Sequence, residues 1–180
     1  MRIDLQAIEL PIHTTQINGV HADYINDSTN DDRFEITLSV STRTVETKEE
    51  AKKVLDFTQH TFVASPDSDE LASLFQTRLY STNTWTTGCN NDAYAGMTGV
   101  TLDFDHGITI PEAQEAFAEY NYILHTSRTH GYAVDGTAPE DRFRVILPFE
   151  PSGLYYTSGS EARKVYSKMM ELYPQADRAC

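Results

Sequence analysis

The chain has 180 residues, 39% of them hydrophobic, and its 27 acidic and 14 basic residues give a formal net charge of −13. This composition suffices for one compact domain with at most a small appendage, and the charge argues against a surface that binds nucleic acid by bulk electrostatics. Cys89 and Cys180 lack the spacing of a disulfide framework or a zinc ribbon, and no apolar run could span a bilayer, so we expect an intracellular protein without a membrane partner.

The first third of the chain predicts an irregular arm, a strand and a helix. Residues 1–32 are polar and irregular, and we interpret them as an N-terminal arm or tail. Apolar and polar residues alternate over 34–41, which predicts a half-buried strand. Thr47 and Glu50 match a capping box and apolar residues follow at helical spacing, so a helix is predicted to run to about Thr61.

The middle of the chain predicts a second helix and a long loop. Apolar residues recur every three or four positions from Leu71 to Leu79, which indicates a helix with one buried stripe. Residues 81–99 are polar and contain glycine and asparagine, and we interpret them as a loop.

The second half of the chain predicts the order strand, helix, strand, strand, helix. These elements are a strand at 99–105, a helix after Thr109, strands at 122–127 and 142–149, and a helix between Ser158 and Pro174. Such an order is typical of an α/β or α+β sandwich in which helices pack on a sheet.

Two carboxylates stand two residues apart on the first strand of this half. Strand alternation places Asp103 and Asp105 on one face, and it turns Val100, Leu102 and Phe104 toward the core. Paired carboxylates can hold one or two Mg²⁺ or Mn²⁺ ions, which suit phosphoryl or nucleotidyl transfer. Taken alone, such a pair is more often part of a solvated turn.

The segment HTSRTH leaves a strand and enters a polar loop. Ser127, Arg128 and His130 are donors suited to phosphate oxygens, and a triphosphate would satisfy them. We interpret His125 as an ordinary strand histidine, packed or solvated.

Two arginines alternate with apolar residues on the strand at 142–149. Arg142 and Arg144 are therefore expected to share a face. They either contact phosphates or form the polar face of an exposed strand, and the first reading requires that their strand lies beside Asp103.

Taken in order, four segments resemble the motifs of phage- and plasmid-type primases of the archaeo-eukaryotic primase superfamily. They are GVTLDFDHGITIPEAQEAF, YILHTSRTH, DRFRVILPF and YPQADRAC, within residues 98–180. The resemblance implies an α+β fold whose catalytic sheet is like an RNA-recognition motif, with helices on one face, preceded by an N-terminal α/β portion. The primase-like domain would then span 33–180, with an N-terminal subregion at 33–97.

The resemblance also implies a role for each matching residue. Metal ligands would be Asp103, Asp105 and Asp177, nucleotide-binding residues Ser127, Arg128, His130, Arg142 and Arg144, and the catalytic set Asp103, Asp105, His130 and Asp177. The implied activity is template-directed nucleotidyl transfer from nucleoside triphosphates on single-stranded DNA, with Mg²⁺ or Mn²⁺ as cofactor. A fused or separate helicase would be a partner, and the location would be cytoplasmic, in the host cell if the protein is phage-encoded.

Three features depart from the family pattern. The loop is longer than the usual Ser-x-His form, the net charge is strongly acidic, and Asp177 lies close to the end of the chain. Members of the family usually continue into a further strand. The possibility therefore stays open that this domain is cut short at its C-terminus and is inactive alone.

Two other functions also stay open. A non-catalytic nucleic-acid-binding replication module would use Arg128, Arg142 and Arg144 for phosphate contacts. A replication-initiator nuclease would need two histidines two positions apart, whereas His125 and His130 are five apart.

Overall fold

The computed structural model describes residues 20–21, 33–65, 68–127, 129–133, 138–149 and 153–178. Within them the chain forms a mixed α+β fold with largely antiparallel sheets. None of the helices in these ranges has the length and apolar character needed to cross a membrane.

The described residues form the following strands and α-helices, numbered in chain order. The strands are β1 (Val20–His21), β2 (Phe34–Ser41), β3 (Phe57–Ala64), β4 (Tyr80–Ser81), β5 (Asn83–Trp85), β6 (Tyr94–Met97), β7 (Gly99–Phe104), β8 (Ile123–Thr126), β9 (Phe143–Pro148) and β10 (Asp177–Arg178). The helices are α1 (Lys48–Ala51), α2 (Asp69–Thr77), α3 (Ile110–Phe117) and α4 (Gly159–Leu172).

The main sheet has five strands in the order β1-β8-β9-β7-β10. Strand β1, which lies within the predicted arm, pairs parallel with β8, and all other neighbours are antiparallel. The predicted order strand, helix, strand, strand, helix from β7 to α4 is confirmed.

One face of the main sheet packs against α3 and α4. Val100, Leu102 and Phe104 are fully buried on this face, as their alternation predicts, and Ala113 and Phe117 of α3 belong to the same cluster. The predicted capping boxes at the start of both helices are present. Local capping and the apolar stripe thus determine how these helices cover the sheet.

A second layer covers the opposite face of the main sheet. It consists of the three-stranded sheet β3-β2-β4 together with α2. Ile123 and Ile146 of the main sheet share a buried cluster with Ile36, Leu38 and other residues of this layer. The main sheet is therefore sandwiched between helices on one side and a smaller sheet on the other.

The predicted helix from Thr47 to about Thr61 is wrong over most of its length. The capping box between Thr47 and Glu50 is present, but α1 ends at Ala51. Strand β3 follows and pairs with β2 over all eight residues of each. Its β-branched and aromatic residues suit a strand, and this long-range pairing outweighs the short helical pattern.

The predicted loop at 81–99 is also wrong, because β5 and β6 form a two-stranded sheet within it. The polar residues of 81–84 and Thr98 are buried, whereas those between β5 and β6, from Thr86 to Asp92, are exposed. Thr84 Oγ1 donates to the Gly96 carbonyl at 3.1 Å, and Thr98 Oγ1 donates to the Thr37 carbonyl at 2.6 Å. A polar segment forms a solvated loop only where its polar groups bond to water, and here several of them bond to the protein instead.

Candidate active site

Four polar residues form one row across the main sheet. Strand register places His125 opposite Arg144, Arg144 opposite Asp103, and Asp103 opposite Asp177. Residues directly opposite on antiparallel strands share a face, with Cβ atoms about 4.5–5.5 Å apart. These four residues, called the polar row below, lie on the face turned away from α3 and α4.

Asp103 and Arg144 form an ion pair in the middle of the polar row. Arg144 Nε and Nη2 both donate to Oδ2 of Asp103, at 3.1 and 2.9 Å. The Asp103 side chain is 19% exposed and that of Arg144 is 37% exposed. Burial opposes the positive charge of Arg144, but Tyr80 and Asp103 outweigh it and raise the pKa of the guanidinium further above its ordinary value.

Asp177 lies directly opposite Asp103 on the neighbouring strand. Its side chain is exposed, and within the described part of the chain it has no ion pair. Like charges directly opposite on paired strands destabilise a sheet. A cation between the two carboxylates would relieve that repulsion.

Asp105 does not share a strand face with Asp103, contrary to the prediction. Strand β7 ends at Phe104, and Asp105 is exposed in the bend that follows. In that bend Gly107 has φ +80°, which lets the chain turn toward α3. Strand alternation therefore no longer governs the direction of the Asp105 carboxylate.

The carboxylates of this region fit a hard divalent cation. In the parts of the chain that the structure describes, no group of three or more His, Cys, Asp or Glu side chains is arranged to hold a metal. Mg²⁺, however, is commonly held by one or two carboxylates and completes its shell with water and substrate phosphates. Asp103 and Asp177 meet that requirement by residue type and by register.

His130 lies in the loop between β8 and β9 and is one-third exposed. Its Nδ1 accepts a hydrogen bond from the Arg142 backbone N–H at 3.2 Å, so a neutral ring carries its proton on Nε2. The Asp141 carboxylate lies 3.9 Å from the same Nδ1, and the amide is the closer partner. This geometry leaves Nε2 as the donor for a ligand.

The same loop closes on itself through Ser127. Its backbone carbonyl accepts from the His130 N–H at 3.2 Å, and its hydroxyl lies 3.2 Å from Thr129 Oγ1. Arg128, the other predicted phosphate donor here, lies outside the described residues.

The environment of Arg142 is unlike that of Arg144. Arg142 is only 7% exposed, and its Nη1 donates to the carbonyls of Thr129 and Tyr132, both at 3.1 Å. It precedes β9 and holds the loop that carries His130. Of the two predicted arginines, the structure thus places only Arg144 beside the acidic residues.

Sequence reasoning missed the support beneath the polar row. Tyr80 Oη lies 2.6 Å from Nε2 of His125, whose Nδ1 donates to the Thr126 carbonyl, and Phe75 stacks on the imidazole at 4.2 Å. Burial raises the pKa of Tyr80 to about 12. The Arg144 guanidinium carbon lies 6.0 Å from the centre of the Tyr80 ring. Tyr80 belongs to no motif, so no local signal could have found it.

Comparisons of the chain with protein-family models, curated proteins and solved structures give no significant match. The function of this site is therefore inferred from its geometry and from the chemistry of its residues.

Proposed function

We propose that the chain is a DNA-replication primase or primase-polymerase domain, which transfers nucleotides from nucleoside triphosphates on a single-stranded DNA template. The observation that carries this proposal is the pairing of Asp177 with Asp103 beside Arg144. The resemblance implies that Asp103 and Asp177 bind the same metal, and strands distant in the chain bring these two residues side by side. The five-stranded sheet with helices on one face also agrees with a catalytic sheet like an RNA-recognition motif.

The metal chemistry would be located at the end of the polar row. Asp103 and Asp177, with Asp105 from the adjacent bend, would hold Mg²⁺ or Mn²⁺, which neutralises charge at the α-phosphate and favours ionisation of the attacking 3′-hydroxyl. The pairing of β7 with β10 would hold Asp103 and Asp177 in place. The positive charge of the bound ion would therefore be fixed beside the reacting centre before the substrate arrives.

The remaining residues would bind and orient the triphosphate. His130 would donate from Nε2, and Ser127, Arg128 and Arg144 would supply further donors for phosphate oxygens. Arg142 would act through the loop that it holds, since its Nη1 already bonds to two loop carbonyls. Because the net charge of the chain is acidic, the bound cation would be the main positive charge that attracts the negatively charged triphosphate.

The alternatives gain less support from the described residues. A nucleic-acid-binding module would rely on Arg128, Arg142 and Arg144 alone for phosphate contacts, but Arg142 is buried with its Nη1 bonded to loop carbonyls. Such a module would also give no role to the pairing of Asp177 with Asp103. An initiator nuclease would need paired histidines, but His125 is buried against Tyr80 and His130 lies in a loop.

The decisive experiment supplies the protein with single-stranded DNA, nucleotides and Mn²⁺ or Mg²⁺. We expect primer synthesis or extension that is lost in Asp103→Ala and retained in Glu171→Gln, an exposed carboxylate on α4 at the other face of the sheet. Unchanged product from Asp103→Ala would refute the proposal. If the isolated chain does not turn over, metal-dependent nucleotide binding that survives in His130→Ala would refute it instead.

A further inference from the structure

The central ligand of the proposed cation site already carries a positive partner. Both donors of Arg144 converge on one oxygen of Asp103 rather than spreading over the two carboxylate oxygens. A divalent ion on either oxygen of this carboxylate would lie within a few ångströms of the guanidinium. Repulsion between the two positive groups means that each weakens the binding of the other to Asp103.

Arg144 already has a second favourable partner beside Asp103. Its side chain is 37% exposed, so it is not enclosed in its present place. The Tyr80 ring lies 6.0 Å from the guanidinium carbon, and an aromatic face attracts a cation. Tyr80 is itself held, because its hydroxyl bonds to His125 and its ring packs against Phe75 at 4.9 Å between centroids.

We propose that Arg144 is a built-in counter-ion that exchanges with the divalent cation. Without the cation, Arg144 neutralises Asp103 and limits its repulsion with Asp177. When the cation binds, Arg144 releases Asp103 but stays beside the Tyr80 ring, where its donors can bind a substrate phosphate. This inference rests on the proposed function, and it adds that the arginine and the metal compete for one carboxylate before they cooperate on the nucleotide.

The first test measures Mn²⁺ binding to the full chain by electron paramagnetic resonance, without nucleotide. Arg144→Gln removes the competitor, so we expect tighter Mn²⁺ binding on the order of tenfold, as loss of a charge-assisted contact implies. Arg163→Gln makes the same charge change at an exposed position on α4, across the sheet, and should leave the affinity unchanged. Asp103→Asn should abolish the site.

The second test follows the wild-type arginine directly and does not depend on a variant that folds poorly. The ¹⁵N-labelled Nε–H signal of Arg144, assigned by its loss in Arg144→Lys, should shift during a Mg²⁺ titration at the same concentrations that fill the site. A filled site with an unmoved Nε–H signal would overturn the exchange.

The outcomes separate this inference from the proposed function. Mn²⁺ binding that Asp103→Asn abolishes but Arg144→Gln does not tighten would overturn the exchange and leave the metal site intact. Equal tightening in Arg144→Gln and Arg163→Gln would reduce the effect to net charge and also overturn it. Mn²⁺ binding unaffected by Asp103→Asn would overturn the metal site itself, and the exchange with it.

Discussion

The hydroxyl of Tyr80 lies 2.6 Å from Nε2 of His125, which is 45 residues further along the chain. This buried hydrogen bond joins the small sheet, through β4, to the main sheet, through β8, directly behind Arg144. The layer formed by β2, β3, β4 and α2 carries no recognisable motif, but through Tyr80 it holds two residues of the polar row in place.

Burial of the Tyr80 hydroxyl makes stability depend on pH in the alkaline range. Burial raises the pKa of Tyr80 from 10.0 to about 12, so the folded state holds the proton more tightly than the unfolded state. The resulting stabilisation is complete below about pH 10 and is lost as the pH rises toward 12. In Tyr80→Phe we expect a shallower loss of unfolding free energy over this range, measured by urea denaturation at several pH values.

A control for this experiment is Tyr132→Phe, which removes a hydroxyl from a side chain that is 69% exposed. That variant should keep the wild-type pH dependence. Identical slopes for Tyr80→Phe and wild type would contradict the assignment.

Removal of the Asp177 charge should stabilise the protein when no divalent ion is present. Asp177 stands directly opposite Asp103, and like charges so placed cost about 0.2–1 kcal/mol. In Asp177→Asn we therefore expect a slightly higher melting temperature in chelator and little further rise on addition of Mn²⁺. Wild type should show the opposite pattern, and a Mn²⁺-induced rise of equal size in both proteins would argue against Asp177 as a ligand.

Arg142 is expected to matter for the order of the loop rather than for direct phosphate contact. Arg142→Met removes the donor to the Thr129 and Tyr132 carbonyls and should lower the free energy of unfolding by about 1–3 kcal/mol. Hydrogen exchange at the His130 amide should accelerate. Protection that is unchanged in this variant would show that other contacts hold the loop.

Asp141 should couple helix α3 to the His130 loop. Its Oδ2 accepts from the Ile110 N–H at 2.9 Å, at the start of α3. Asp141→Ala removes this cap and should cost about 1 kcal/mol, whereas Asp141→Asn keeps an acceptor and should cost less. Thermal unfolding of both variants measures the difference, and equal losses would mean that charge rather than capping is responsible.

Gly99 is required by the close approach of β7 and β9. A Cβ at this position would lie 2.5 Å from the Leu147 carbonyl oxygen, which belongs to backbone and cannot move aside cheaply. Gly99→Ala should therefore cost about 1–3 kcal/mol in urea unfolding. Gly159→Ala, where the nearest atom is Arg163 Nη1 at 3.7 Å, is the matched control and should be close to neutral.

Local patterns predicted most of the second half of the fold. The capping boxes at Thr47, Thr109 and Ser158 are all present, and the apolar residues predicted to face the core from β2, β7 and β9 are buried. These features depend on residues within one or two turns of helix or along one strand. They are readable because the responsible contacts are short in sequence. The opposite face of these strands is largely buried too, at Ser39, Thr101 and Ile146, because the two layers pack against each other, so the predicted half-buried strand is wrong in this respect.

The errors occurred where long-range pairing decided the structure. The apolar spacing from Ala51 to Thr58 fits a helix, but the chain from Phe57 onward pairs with β2 instead. The polar residues around Thr84 resemble a loop, but partners across β5 and β6 satisfy them in the interior.

The sequence by itself determined the order of the elements in the second half, the apolar face of the main sheet and the set of acidic and basic residues from which the proposed site is built. Only the tertiary structure decided that Asp177 stands opposite Asp103 and that Arg144 forms an ion pair with Asp103. It also decided that Tyr80, from the other layer, contacts Arg144 and His125. Periodicity and capping act over a few residues, whereas strand register across the sheet depends on how both layers pack together.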